Sequence, residues 1–141
     1  MGLRWTSALS VGDPEIDLQH QELFRRVDRL IDGMLRNDRS EAVRLMGFLR
    51  EHAVVHFAVE ERLMVETAFP DAARHIQLHR AFHTALKELD TDLRALGPTT
   101  PLVLRLEGLA TTWLRDHLYS ADLALGRWIR GRQGKAAAPQ P

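Results

Sequence analysis

Cysteine is absent from the 141 residues. That absence excludes disulfides, thiolate nucleophiles, zinc–thiolate sites and iron–sulfur clusters at once. Any metal is therefore left to His, Asp and Glu. Neither sign of charge is in excess, since nineteen Lys and Arg balance nineteen Asp and Glu. Without a basic surplus on one face, nucleic-acid binding is not expected. No apolar run approaches the ~18 residues of a membrane span, so membrane insertion is not expected either. Met1–Ser10 has no apolar core followed by a small-residue cleavage site, and the expected compartment is the cytoplasm. Tyrosine occurs once, whereas histidine occurs seven times. Function is to be sought among the histidines.

Strand-like alternation is also missing, and apolar positions recur instead at spacings of three and four. A first stripe runs through Ile16, His20, Leu23, Phe24, Val27, Leu30 and Met34, with Asp17 at its start as the expected N-cap. Asn37-Asp38-Arg39-Ser40 reads as a turn, with Ser40 capping a second stripe of Leu45, Leu49, His52, Ala53, His56, Glu60, Leu63 and Met64. That stripe ends before Phe69-Pro70, because the residue ahead of a proline resists the helical region. Asp71 is the expected cap of a third, through His75, His79, Phe82, Leu86, Leu89, Leu93 and Leu96, closed by Gly97-Pro98. Thr100 and Pro101 open a fourth, through Leu102, Leu106, Leu109, Trp113 and His117, with a short continuation to Ile129. Four amphipathic helices with short connections predict an all-α, antiparallel up-down-up-down four-helix bundle with a short C-terminal helical extension. Residues 1–130 form the bundle in this reading, and the Gly/Ala/Pro/Gln-rich residues 131–141 a flexible tail.

Polar residues on a bundle's inner stripe cost free energy unless they are paired or bound to something. His20, His56, Glu60, His75, His79 and His117 all fall on stripes otherwise built of Leu, Phe and Val. One such histidine would be ordinary core; five over four helices, with a carboxylate among them, are hard to satisfy by hydrogen bonds alone. Spacing adds to this, because residues four apart lie one turn apart on the same helix face. This composition gives about 0.3 His-x3-His pairs by chance, and the chain has three, at 52/56, 75/79 and 79/83. His56-x3-Glu60 has the same spacing, and Asp122 follows His117 by five residues.

Four segments then resemble the stand-alone bacterial hemerythrins, which are non-haem di-iron oxygen-binding bundles. They are Trp5 with VGDPEIDLQHQELF around His20, HFAVEERLM around His56, FPDAARHIQLHRAF around His75 and His79, and HLYSAD from His117 to Asp122. The resemblance spans Trp5 to Ile129. It implies two iron ions per chain, one held by His75, His79 and His117 and the other by His20 and His56, with Glu60 and Asp122 bridging them. An oxo or hydroxo group would complete the bridge. Three imidazoles, two carboxylate oxygens and that bridge saturate one octahedral ion and leave a position open on the other. Dioxygen is the implied ligand there. Leu114 is the candidate to line that position, with Trp113 packing nearby. His52 and Phe69 stand where the family often has tyrosine, and His83 is additional.

The implied role is binding rather than catalysis, with no catalytic residue expected: oxygen storage, delivery or sensing by a monomer, with an unidentified protein as acceptor. A di-iron oxidase, peroxide or nitric oxide handling, and iron storage are the rival roles. Ferritin-like sites use Glu-x-x-His motifs, and none of the seven histidines has Glu three residues earlier. His-Glu-x-x-His of metalloproteases is absent as well. Simple readings suffice for the neighbours: Glu61 and Glu66 as solvated charges, His83 as surface, and His52 as a group packed beside the ligands.

Overall fold

The structure is a computed structural model and describes residues 4–137, with side chains through Arg132. A short 3-10 turn at Ser7–Leu9 leads into α1 (Pro14–Leu35), α2 (Ser40–Glu66), α3 (Ala72–Leu96) and α4 (Thr100–Thr112). α4 passes without a break into a π-helical segment, Trp113–Asp122, and then into α5 (Leu123–Ala137). α1 packs on α2, α2 on α3, α3 on α4 and α4 on α1, which closes the expected antiparallel bundle. No strand occurs among the described residues.

The helix ends differ in detail from the sequence reading. α1 is capped by Asp13, whose carboxylate accepts from Ile16 N–H at 3.0 Å, with Pro14 in the first turn. Asp17 is not the cap: it accepts from Ser10 Oγ at 2.5 Å and from Val11 N–H at 2.9 Å, tying the N-terminal segment to α1. Ser40 is the first residue of α2 rather than its cap, and Asp38 accepts from its N–H. Asp71 precedes α3 without a side-chain capping bond, and α4 starts at Thr100 itself.

Two helices end in the same way. Asn37 and Ala68 take positive φ (57° and 54°). The following residues, Asp38 and Phe69, return N–H bonds of 2.7 and 2.9 Å to Gly33 and Met64. These are Schellman turns, so α2 stops through its own backbone before Pro70 acts. α5 is helical as far as Ala137, beyond the residue 130 boundary; residues 138–141 lie outside those described.

The interior has two zones. One is a continuous apolar cluster that includes Val27, Leu30, Leu45, Leu49, Leu86, Leu89, Leu93, Leu102 and Leu106. At the other end Met64, Leu125 and Ile129 pack with Phe69 and Ile76, beside a small group of Val11, Ile16 and Val59. Between them lies a buried polar layer.

Candidate metal centre

That layer holds all seven residues singled out above. His20 comes from α1, His56 and Glu60 from α2, His75 and His79 from α3, and His117 and Asp122 from the π segment; none is more than 4% exposed. They fall into two groups sharing both carboxylates. Glu60, His75, His79, His117 and Asp122 each bring an atom within 4.8 Å of the others, as do His20, His56, Glu60 and Asp122.

Within the groups each carboxylate divides its oxygens. Glu60 Oε2 lies 2.9 Å from His75 Nε2 and 3.1 Å from His79 Nε2, while Oε1 lies 2.5 Å from His56 Nε2. Asp122 Oδ1 is 3.0 Å from Nε2 of both His75 and His117, while Oδ2 is 3.2 Å from His20 Nε2. One oxygen of each carboxylate therefore belongs to the three-histidine group and the other to the two-histidine group.

The π segment makes this division reachable. Five residues apart on an α-helix, His117 and Asp122 would point about 140° away from each other. Winding with i→i+5 bonds brings such a pair back to one face, and π turns recur at functional sites for this kind of reason. The spacing was visible in the sequence; the change of winding was not.

The donor set fits cations better than it fits itself. His117 Nε2, Glu60 Oε1 and Asp122 Oδ1 are buried without a hydrogen bond of acceptable geometry, although a neighbour stands within 3.0 Å of each. Their lone pairs converge on common points instead of on one another. Two carboxylates are wholly buried, and no Lys or Arg is buried among the described residues to offset them. The imidazoles carry that burden. Burial alone would lower His20 and His75, but hydrogen bonds that they donate to Asp122 and Glu60 outweigh it and raise both to about 9. Desolvation pushes Glu60 and Asp122 upward, yet the surrounding histidines hold both below the ordinary carboxylate range. Burial lowers His117. Hard oxygen and imidazole donors with no thiolate suit iron.

Two supports escaped the sequence reading. His56 Nδ1 donates to Gln19 Oε1 at 2.8 Å, and His79 Nδ1 donates to Glu61 Oε2 at 3.0 Å. Such bonds fix the tautomer and aim Nε2 inward. Glu61 is thus not a plain solvated charge. Its signal is chemical: a metal-binding imidazole ordinarily needs an acceptor on its second nitrogen.

Aromatic rings wall the three-histidine group. Trp113 stacks on His117 with ring centroids 3.7 Å apart, and Phe57 stacks on His79 at 3.9 Å. Trp113 thus packs against the three-histidine group, while Leu114 is fully buried. His52 stacks between Phe48 and His56 at 4.9 and 5.0 Å, outside both ligand groups. Burial, reinforced by repulsion from His56 and His20, lowers it to about 3, so it is neutral. His83 and Glu66 are exposed.

Residues 11–129 match the family model of the hemerythrin HHE cation binding domain. The chain belongs to the hemerythrin family. It is similar to a bacteriohemerythrin of Stenotrophomonas maltophilia (strain R551-3), 24% identical over 135 residues that cover 96% of this chain and 86% of the relative. A myohemerythrin of Riftia pachyptila is 27% identical over 118 residues, covering 84% and 86%. A hemerythrin-like protein of Naegleria gruberi is 33% identical over 120 residues, covering 84% and 87%.

Proposed function

We propose that this chain binds dioxygen reversibly at a non-haem di-iron centre. His75, His79 and His117 hold one ion, His20 and His56 hold the other, and Glu60 and Asp122 bridge the pair. The observation that carries this reading is the division of each carboxylate's two oxygens between the two imidazole groups. A mononuclear site has no use for that division. The asymmetry of three imidazoles against two gives the second ion the open position, which is where a small diatomic ligand belongs.

When bound, the two ferrous ions supply the electrons that dioxygen takes up and returns. The chain's own residues do the rest. Gln19 and Glu61 orient the imidazoles, and the buried carboxylates offset the metal charge. Leu114 and the rings around His79 and His117 exclude water, which favours holding the ligand over reacting with it. The role is binding without turnover, in storage, delivery or sensing. We read the molecule as a cytoplasmic monomer with a protein acceptor, its di-iron bundle spanning residues 1–130.

The test is the visible spectrum of the anaerobically reduced protein before and after air, with iron counted per chain. Two irons and a colour that comes with air and leaves under vacuum are expected. One zinc per chain, or no change with air, overturns the reading.

A further inference from the structure

Asp122 is the last residue of the π segment, and α5 begins immediately after it. Its position along the chain axis is therefore set by where α5 is held. Besides the packing of Leu125 and Ile129 on Met64, three contacts hold α5. Trp128 Nε1 donates to Thr67 O at 3.0 Å, beyond the end of α2. Arg130 Nη1 donates to Ser10 O at 3.0 Å. Gly126 lies so close to the N-terminal segment that a Cβ there would stand 2.7 Å from Val11 Cα, a backbone atom that cannot swing aside.

The same segment is gripped from the other side by α1. Asp17 accepts from Ser10 Oγ and Val11 N–H, three residues before His20. Ser10–Gly12 is thus clasped between α5, which carries Asp122 into the site, and α1, which carries His20. Those two residues meet at 3.2 Å between His20 Nε2 and Asp122 Oδ2, on the two-histidine side of the site.

We infer that the Ser10–Gly12 turn, clasped by Asp17 and Gly126, is the positioning element that sets the spacing of His20 and Asp122 and so assembles the two-histidine ion position. This rests on the di-iron reading above. The three-histidine group leans on the clasp less: His75 and His79 sit on α3 and Glu60 on α2, and of its members only His117 and the shared Asp122 lie on the segment that runs into α5. Loosening the clasp therefore weakens the two-histidine position, where it shifts both His20 and Asp122, more than the three-histidine position, where it shifts the shared Asp122 against a fixed α2 and α3.

Gly126→Ala and the milder Asp17→Asn are the variants, with Leu93→Ala as a control about 21 Å along α3 from His79. Each protein is stripped with a chelator and titrated anaerobically with ferrous ion, with iron per chain and melting temperature recorded. The unaltered chain reports on the di-iron reading alone: two ions must bind. For the clasp variants the second ion is expected to bind at least about tenfold more weakly than in the unaltered chain, the usual cost of disturbing the partners behind a ligand, and the first ion is expected to lose less than the second. Leu93→Ala is expected to melt lower and still bind two. If both clasp variants bind two ions with unchanged affinity, or if Leu93→Ala loses the second ion as they do, the inference is overturned. Should Gly126→Ala not fold, Asp17→Asn decides alone.

Discussion

The two ends of this bundle solve the same packing problem with opposite materials. Where α1 ends and α2 begins, the interior is Val27, Leu30, Ala42, Leu45, Leu89, Leu93, Leu102 and Leu106, apolar throughout. Where α1 begins and α2 ends, the same stripes carry five histidines and two carboxylates. Burial of apolar surface stabilises the first end by about 25 cal/mol per Å². The second end has only the small clusters around Val11 and Met64 to gain from in that way, and it carries the desolvation of seven polar side chains. A protein so divided concentrates its intrinsic stability at one end and lends it to the other, where ligand binding adds stability only to the folded chain.

The sharpest way to break the contrast is to remove the group common to both ligand sets. Glu60→Ala is expected to drop iron from two per chain to one or none and to lower the melting temperature of the loaded protein more than any change below. Leu89→Ala attacks the other end. A cost of about 2–5 kcal/mol in denaturant unfolding is expected from the cavity, with two irons retained. If Leu89→Ala empties the site, the ends are not separable.

Proton linkage gives a third discriminator, on chelator-stripped protein. His20 and His75 are raised above the ordinary 6.5 to about 9, so in the folded chain they bind protons that the unfolded chain has released. The stability they contribute is complete below pH 6.5 and is lost as pH rises towards 9. Melting temperatures of stripped protein should fall across that window, while loaded protein, with cations in place of those protons, stays level. A flat profile for both would show that the carboxylates are not held ionised by these imidazoles. The smallest effect expected is at the support of His79: Glu61→Gln should weaken iron binding about tenfold, and His83→Ala, one turn further along, should change nothing. Iron titration of the pair fixes the register of α3.

Much of this was legible in the chain because helical period and ligand spacing coincide. His56 with Glu60, and His75 with His79, are four apart, so recognising the helix already placed both members on one face. The pair at 117 and 122 broke that rule: the family resemblance named both residues, but the π winding that brings them to one face could not be read from the spacing. Asp17 looked like a cap because Asp before an apolar periodic run is one; Asp13 ahead of Pro14 carried the same signal and won. Gln19 and Glu61 were missed because their partners lie on other helices, 37 and 18 residues away. Local pattern is blind to contacts of that range.

Trp113 also has a photophysical consequence. Its indole lies face to face with His117, 3.7 Å between ring centroids, closer to the ligands than any dye could be attached. A bound iron centre that absorbs in the near ultraviolet would drain the indole's excited state by energy transfer. Trp128, held at Thr67, and Trp5, on the N-terminal segment, are not stacked on any ligand ring. The emission of this protein should therefore divide into a fraction that dims as iron arrives and a fraction that dims less, so that occupancy can be followed without colour, label or oxygen.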